Sequence, residues 1–368
     1  HMMFKGTHNV PTDEFSKLIS SYGGSENAFT SYDFTGYYQM MNANNLPLSL
    51  ELEADRMVNA TFPEAEFLKE IEVVKEERRL RTDDNPNSRT YERFLAAAYI
   101  SSGYHTPIIG WMHDLNKLTY KDAFDWYQTW YAPNNATLIV VGDVEHKNVF
   151  SLAERYFGPI EAKPLPKTSP PVEVAGLGER RIEVELTARV PALYIGYNVP
   201  GINTATEEWE VYALRMLAGV LDGGYSARIE TELVRKQQIT ASAGASYGGF
   251  SRGDTLFFLS GVPNQNHTVE EVETALMDQI SLLKTELAKP EELARVQAQV
   301  ISGIIYQQDS ISSQANQIGR MESIGRSWQE MDKFAEKLKA ITPDQIRQVA
   351  KKYLVKNRKT VATLTPKI

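Results

Sequence analysis

The sequence predicts an α+β protein built from mainly antiparallel β-sheets covered by helices. Three observations support this fold class. Helical periodicity and strand-like apolar runs alternate irregularly along the 368 residues, the strands follow one another as if in hairpins, and the contents of 42% hydrophobic and 23% charged residues are ordinary for a globular protein. A doubly wound parallel sheet would instead show regular βα units.

The first half of the chain contains three predicted helices and two strand regions. Residues 11–24 begin with Pro, Asp and Glu and end at Gly-Gly, which is a good pair of helix start and stop signals. Apolar periodicity predicts further helices at 46–60 and 63–83. Alternating and apolar runs predict a hairpin at 27–41 and a strand at 136–142.

The second half contains a predicted helix pair and four predicted strands. The helices are residues 268–288 and 290–310, and the strands are residues 181–187, 191–198, 239–247 and 254–262.

The two halves end in similar segments, 118–141 and 341–364, which align at a constant offset. Each segment begins with a threonine that we expect to cap a helix, Thr119 or Thr342, and ends in a predicted strand. This similarity suggests an internal duplication, although any two helix–turn–strand units share some features.

The proline-rich stretch 158–176 predicts a linker, because proline disrupts both helices and central strands. We therefore expect a first domain at residues 1–160, a linker at 161–175 and a second, homologous domain at 176–368.

Composition excludes several classes of function. The net charge is −8 and no Lys/Arg block is present, so nucleic acid is not an expected partner. The longest apolar runs, such as 136–142, are far shorter than the roughly 18 residues of a membrane-spanning helix. Because the chain has no cysteine, any bound metal must be held by His, Asp or Glu.

Two carboxylates stand out in the stretch FLKEIEVVKEERRL. Glu70 and Glu77 are seven residues apart, so a helix places them on one face beside Val73 and Val74. Buried carboxylates need a cation or hydrogen-bond donors. The alternative is a solvated face on which the acids pair with nearby bases, namely Lys69, Lys75, Arg78 and Arg79.

Three stretches together, HMMFKGT, GGSENAFTSYDFTGYY and EVVKEE, resemble the insulinase/pitrilysin family of zinc metallopeptidases. That family carries the motif H-x-x-E-H, then F-K-G-T, then N-A-x-T, and a ligand glutamate about 76 residues after the second histidine. Here Asn27, Ala28 and Thr30 match N-A-x-T, and Glu77 lies 76 positions after His1.

The resemblance implies a zinc endopeptidase that cleaves peptides or unfolded segments inside a chamber enclosed by two subunits. His1 and Glu77 would be zinc ligands, and Glu70 would orient a ligand histidine. Asn27 and Ala28 would bind the backbone of the substrate by β-augmentation.

Phe4 has two alternative roles in this reading. It would either line the pocket beside the metal or form part of the core.

The family's first histidine and its general-base glutamate have no position in this sequence. His-Met is also a common remnant of cloning, although MFKGT follows in the family's register. We expect these 368 residues alone to be inactive and the complete protein, which would add a strand and most of a helix, to be active.

Two alternative functions remain. One is that of a non-catalytic structural relative, since the family also contains core proteins of respiratory complexes. The other is that of a module that binds peptides without cleaving them. Bacterial relatives of this type suggest the periplasm.

The family also places an arginine and a tyrosine, seven residues apart, in its second domain. Arg235 is present here, but Ser242 stands where the tyrosine is expected. We therefore expect a heterodimer in which a metal-less homologous subunit supplies the Arg/Tyr pair. In the alternative, a homodimer, Tyr247 or Tyr225 takes this role.

Overall fold

The computed structural model describes residues 1–167, 172–174, 176 and 178–367, so residues 168–171 and 175 of the predicted linker lie outside the described residues. The chain divides into two compact units. The first unit comprises His1–Arg79, Ile108–Ser169 and Ser310–Ser323. The second unit comprises Leu80–Pro107, Pro170–Asp309 and Ile324–Ile368.

The described α-helices are α1 (Glu14–Ser21), α2 (Leu46–Asn59), α3 (Glu64–Arg78), α4 (Pro86–Ala98), α5 (Met112–Leu115), α6 (Tyr120–Trp130), α7 (His146–Phe157), α8 (Trp209–Leu221), α9 (Val269–Thr285), α10 (Pro290–Gln307), α11 (Ile311–Ser323), α12 (Phe334–Lys339) and α13 (Pro343–Tyr353). Two π-helical segments, Arg79–Asp83 and Ile229–Lys236, accompany them. In the described part of the chain, no helix is both long and apolar enough to cross a membrane.

Within the described residues, seven strands form two sheets. The strands are β1 (Ser25–Thr30), β2 (Thr35–Met40), β3 (Arg180–Leu186), β4 (Ala192–Val199), β5 (Thr240–Tyr247), β6 (Thr255–Pro263) and β7 (Lys359–Pro366). β1 and β2 make an antiparallel hairpin in the first unit. The second unit has a five-stranded sheet in the order β3-β7-β4-β6-β5, in which only the β3–β7 pair is parallel.

The first unit packs α1 and α2 through a small core of Phe15, Ile19 and Leu52. A second cluster joins Met3, Ala60 and Tyr127, and the Tyr127 hydroxyl accepts a hydrogen bond from the Ala60 N–H at 3.1 Å. The second cluster packs the first residues of the chain against Ala60, at the end of α2, and against Tyr127 of α6.

The second unit is organised around the mixed sheet. Phe94 and Ala98 of α4 pack with Leu256 and Ala362 of the sheet. The Asn198 side chain also donates to the Ala98 carbonyl at 2.9 Å, which closes the C-terminal end of α4 onto β4. Helix α8 also belongs to this unit and is buried along most of its length.

The fold class is confirmed as α+β, with a mixed sheet covered by helices. The predicted hairpin, the four predicted strands of the second half and both capped helices are present. Six of the described α-helices were not predicted, namely α4, α5, α7, α8, α11 and α12. α4 has a proline and an asparagine at its start, α8 is too apolar all round to show a polar face, and α7 buries none of its residues.

The prediction of a strand at residues 136–142 was wrong. No strand is assigned to this segment within the described residues. A strand requires a neighbour whose N–H and C=O groups pair with its own, so an apolar run alone cannot create one.

Candidate functional site

His1 begins a short turn that is anchored by two buried methionines. The turn Met2–Phe4 is a 3₁₀-helix, and the Phe4 N–H donates to the His1 carbonyl at 3.0 Å. Met2 packs against Phe67 and Ile71 of α3, while Met3 enters the cluster of Ala60 and Tyr127. The two consecutive buried methionines therefore hold the His1 imidazole beside α3.

The structure brings His1, Glu70 and Glu77 together. The His1 Nδ1 lies 2.9 Å from Glu70 Oε2, and His1 Nε2 lies 3.5 Å from Glu77 Oε2. The two carboxylates thus contact different nitrogens of one imidazole. Glu70, at Nδ1, is placed to orient the imidazole ring of His1. Glu77 faces Nε2, the nitrogen that remains available to bind another group.

The helical spacing explains this arrangement. Phe67 and Ile71 turn one side of α3 into the core and Val74 packs beside them, so the face carrying Glu70 and Glu77 is partly covered. The Glu70 side chain is 15% exposed and the Glu77 side chain 27% exposed.

The alternative reading of α3 as a solvated charged face applies to its other acids. Three ion pairs, each between residues three apart and each with at least one exposed partner, join Lys69 to Glu66, Lys75 to Glu72 and Arg79 to Glu76. Glu70 differs because its partners come from outside the helix.

Lys5 is a member of this cluster that the sequence analysis missed. Its Nζ lies 2.8 Å from Glu70 Oε1, so Glu70 binds His1 with one oxygen and Lys5 with the other. The available signal was the lysine of FKGT, whose position on the turn after His1 brings it to the same helix face.

Charge balance keeps Glu70 ionised. Burial raises the pKa of the Glu70 carboxyl, but hydrogen bonds from Lys5 and His1 lower it more, so its pKa lies below the ordinary value. The same bond with Glu70 raises the pKa of Lys5. Glu70 therefore presents a carboxylate that can accept the His1 Nδ1–H bond.

The separation of His1 Nε2 and Glu77 Oε2 fits one shared metal ion. Zn²⁺ bonded to nitrogen and oxygen at about 2.1 Å with a tetrahedral angle would hold the two donor atoms about 3.4 Å apart, and the observed separation is 3.5 Å. Within the described part of the chain, no cluster of three or more His, Cys, Asp or Glu residues is arranged to hold a metal. His1 and Glu77 thus supply two suitable donors.

Asn27 and Ala28 lie in β1, one strand of a two-stranded sheet. Asn27 pairs with Tyr38 and Ala28 with Tyr37, which leaves the other edge of β1 without a partner strand in the described residues. The Ala28 N–H donates to the Asn27 side-chain oxygen at 2.8 Å. An extended chain could add to this edge and replace that local bond.

Phe4 is half-buried and faces the hairpin. Its ring centroid lies 6.2 Å from that of Tyr37 and 5.2 Å from the Arg56 guanidinium carbon. Phe4 therefore has packing contacts in the first unit, and it lies three residues after His1 in the sequence.

Arg235 belongs to the second unit, at the end of the π-helical segment Ile229–Lys236. Its guanidinium stacks on the Tyr225 ring at 3.9 Å and donates to the Tyr225 carbonyl at 2.7 Å. Tyr225 is 72% exposed, so the two side chains form an accessible pair.

Tyr247, the other tyrosine considered for this role, is buried. Its hydroxyl donates to the Pro200 carbonyl at 2.6 Å, and burial raises its pKa. This hydroxyl is engaged within the second unit, unlike the exposed ring of Tyr225.

Two protein-family models match the chain. The family described as "Insulinase (Peptidase family M16)" matches residues 1–110, and the one described as "Peptidase M16 inactive domain" matches residues 117–300.

Individual relatives agree with the family models. The chain is 33% identical over 293 residues to a protein of Helicobacter pylori named "Zinc protease PqqE", covering 77% of this chain and 64% of that protein. The crystal structure of a protease from Helicobacter pylori superposes with a TM-score of 0.93 at 29% identity, over all of this chain and 88% of that one. The periplasmic protease PqqL of Escherichia coli shares the fold, with a TM-score of 0.82 at 19% identity over all of this chain and 42% of that one.

Proposed function

Because this chain belongs to the insulinase (M16) family of peptidases, we propose that it forms the metal-bearing part of a zinc-dependent endopeptidase that cleaves peptides or unfolded segments. The observation that carries the proposal is the placement of His1 between Glu70 and Glu77, with one carboxylate at each ring nitrogen. Relatives named zinc proteases support the metal and the reaction class.

In this proposal His1 Nε2 and a Glu77 carboxylate oxygen are metal ligands. Glu70 accepts the His1 Nδ1–H bond, which fixes the tautomer and directs the Nε2 lone pair toward the metal. Lys5 holds the second oxygen of Glu70 and so limits its rotation. A bound zinc ion would supply an acidified water and polarise the scissile carbonyl.

We propose that the substrate binds as an additional strand on the free edge of β1. Backbone groups around Asn27 and Ala28 would pair with the peptide, which explains how different sequences could be accepted. Residues 25–30 are SENAFT, and their small and polar members leave the backbone accessible.

In this proposal, the 368 residues contribute two of the family's three zinc ligands and lack its general-base glutamate. We therefore propose that the 368-residue chain by itself binds zinc weakly and does not hydrolyse peptides, because a catalytic site normally has three protein ligands and a base. The second candidate function is peptide binding without cleavage. It is favoured by the edge of β1 that has no partner strand among the described residues, since a peptide could pair there whether or not a metal is bound.

Two assemblies are compatible with the proposal. In the heterodimer, a metal-less homologous subunit supplies the Arg/Tyr pair, since Ser242 stands at the position of the expected tyrosine. In the homodimer, Tyr225 stacked on Arg235 provides that pair, and its exposure supports this second arrangement.

We also propose a periplasmic location, because the periplasmic protease PqqL shares the fold of this chain.

The assemblies differ in a direct assay. Activity of the purified complete protein alone, reduced at least tenfold in Tyr225→Phe, would establish the homodimer. Activity that appears only after mixing with a metal-less homologue would establish the heterodimer.

The metal site is tested by zinc titration of the 368-residue chain against a chromophoric chelator. We expect Glu77→Gln to lower zinc affinity at least tenfold, because a neutral amide is a poor zinc ligand. Glu70→Gln should lower it by about 10- to 100-fold through loss of the orienting carboxylate.

Glu76→Gln is the matched control, since Glu76 lies on the same helix and its ion pair with Arg79 is exposed. Its zinc affinity should stay within about twofold of the parent. Equal affinity in the Glu77→Gln and Glu76→Gln chains would contradict the proposed ligand set.

A further inference from the structure

Arg56 of α2 is a charged side chain in the core of the first unit. It is 2% exposed, although arginine is rarely buried without a partner. Its Nη2 lies 2.5 and 2.6 Å from the two oxygens of Glu53, which is three residues earlier on the same helix. This ion pair compensates the charge but does not account for the position of the guanidinium group.

Three aromatic rings surround the guanidinium. Its carbon lies 5.2 Å from the Phe4 centroid, 4.7 Å from that of Phe15 and 4.6 Å from that of Tyr37. Distances below about 6 Å give favourable cation–π contacts, and these are stronger when the cation is desolvated. The rings come from the turn after His1, from α1 and from β2, respectively.

Arg56 also contacts the β1–β2 hairpin. Its Nη1 lies 3.9 Å from Glu26 Oε2, and Glu26 is the neighbour of Asn27 in β1. Glu53 accepts a hydrogen bond from Gln39 at 2.8 Å, and Gln39 is the register partner of Glu26. The Arg56–Glu53 pair therefore contacts both strands at one cross-strand position.

These contacts join the turn that carries His1 to the strand that carries Asn27 and Ala28. We infer that Arg56 is a positioning residue, which holds β1 at a fixed place relative to that turn. Its importance for peptide binding rests on the proposed function, whereas its effect on the hairpin does not.

The inference explains a buried charge that hydrophobic packing alone would not require. Replacing a buried ion pair by apolar residues is often neutral or stabilising, so stability is a weak reason to keep one. A planar guanidinium can contact several rings and carboxylates at once, whereas lysine offers only a compact point charge. Arginine is thus suited to contact four elements at once, namely the turn after His1, α1, β1 and β2.

The test uses Arg56→Lys, with Leu52→Ala as the matched control. Leu52 is buried on the same helix and packs with Phe15, so its truncation weakens the first unit without removing the guanidinium contacts. Hydrogen exchange of the Ser25–Thr30 amides would be measured, followed by binding of a fluorescein-labelled ten-residue peptide of alternating Leu and Ser.

We expect Arg56→Lys to accelerate exchange in β1 at least tenfold more than Leu52→Ala does, and to weaken peptide binding at least fivefold. Zinc affinity should change less than threefold. Equal acceleration of exchange in the two variants would show that Arg56 is merely structural and would overturn the inference.

Two further outcomes separate this inference from the proposed function. If the parent chain binds no peptide but Arg56→Lys still loosens β1 selectively, the positioning role stands and the proposed peptide site fails. If Arg56→Lys does not fold, Glu26→Gln tests the same contact from the strand side. Selective exchange in β1 supports the inference, and unchanged exchange contradicts it.

Discussion

Segments 118–141 and 341–364 have similar sequence patterns but different structures. Both begin with a capping box, Thr119 with Asp122 and Thr342 with Gln345, and both continue as an eleven-residue helix. The second segment then enters β7, between β3 and β4, whereas the end of the first segment is not assigned to any strand in the described residues.

Burial separates the two segments further. Helix α6 buries Tyr127, whereas α13 buries four residues, Ile346, Val349, Ala350 and Tyr353. Leu364 of β7 is fully buried, but Leu138 of the first segment is 45% exposed. The comparison shows that helix starts are encoded locally, whereas a strand depends on its neighbours.

The largest expected difference concerns one leucine in each segment. We expect Leu364→Ala to lower the free energy of unfolding by about 2–5 kcal/mol, because it leaves a cavity in the sheet core. Leu138→Ala should change it by no more than about 0.5 kcal/mol, since its side chain is half exposed. Urea unfolding followed by circular dichroism would measure both. Equal losses would mean that residues 136–141 are packed as tightly as β7.

The charge at the start of β7 gives a second, smaller difference. Lys359 is buried and lies 3.1 Å from Glu273, which also binds Arg181, whereas Ala136 occupies the corresponding position of the first segment. Burial raises the pKa of Glu273, but Arg181 and Lys359 lower it more, so its pKa lies below the ordinary value. We expect Glu273→Gln to reduce stability by about 1–2 kcal/mol at pH 7.

The pH dependence follows from the same shift. A carboxyl whose pKa is lowered by folding stabilises the protein above its unfolded pKa, near 4.3, and this stabilisation is lost as the pH falls through the folded pKa. Melting temperatures measured from pH 6 to pH 3 should therefore fall less steeply for Glu273→Gln than for the parent. Asp278→Asn, an exposed site on the same helix, should keep the parental slope; the same flattening there would contradict the assignment to Glu273.

The smallest expected effect tests the shared feature. Thr119 and Thr342 each accept a hydrogen bond from the backbone N–H three residues later, at 3.3 and 3.2 Å. Replacing either by alanine should reduce stability by about 1 kcal/mol, and replacing it by serine should retain most of the capping. A much larger loss at Thr342 alone, measured by thermal unfolding, would show that the cap depends on the surrounding sheet.

The candidate site was predictable in part. The spacing of Glu70 and Glu77 on one helix face is a property of the sequence, and both contact His1 in the structure. Lys5 was missed because its partner, Glu70, lies far away in sequence. Arg56 was missed because its contacts beyond Glu53 are with the hairpin and with the rings of Phe4 and Phe15, which are all distant in sequence. A lone cation in a sequence does not reveal which distant carboxylate or ring it meets.

The sequence by itself determined the capped starts of α6 and α13, the alternation of the strands and the residue types that could hold a metal without cysteine. These features depend on caps, periodicity and chemistry within a few residues. Only the tertiary structure decided that residues 136–142 are not a strand, that Arg56 is buried among three rings and that Tyr225 pairs with Arg235. Each of these depends on groups brought together by folding, and such long-range contacts are not encoded by local spacing.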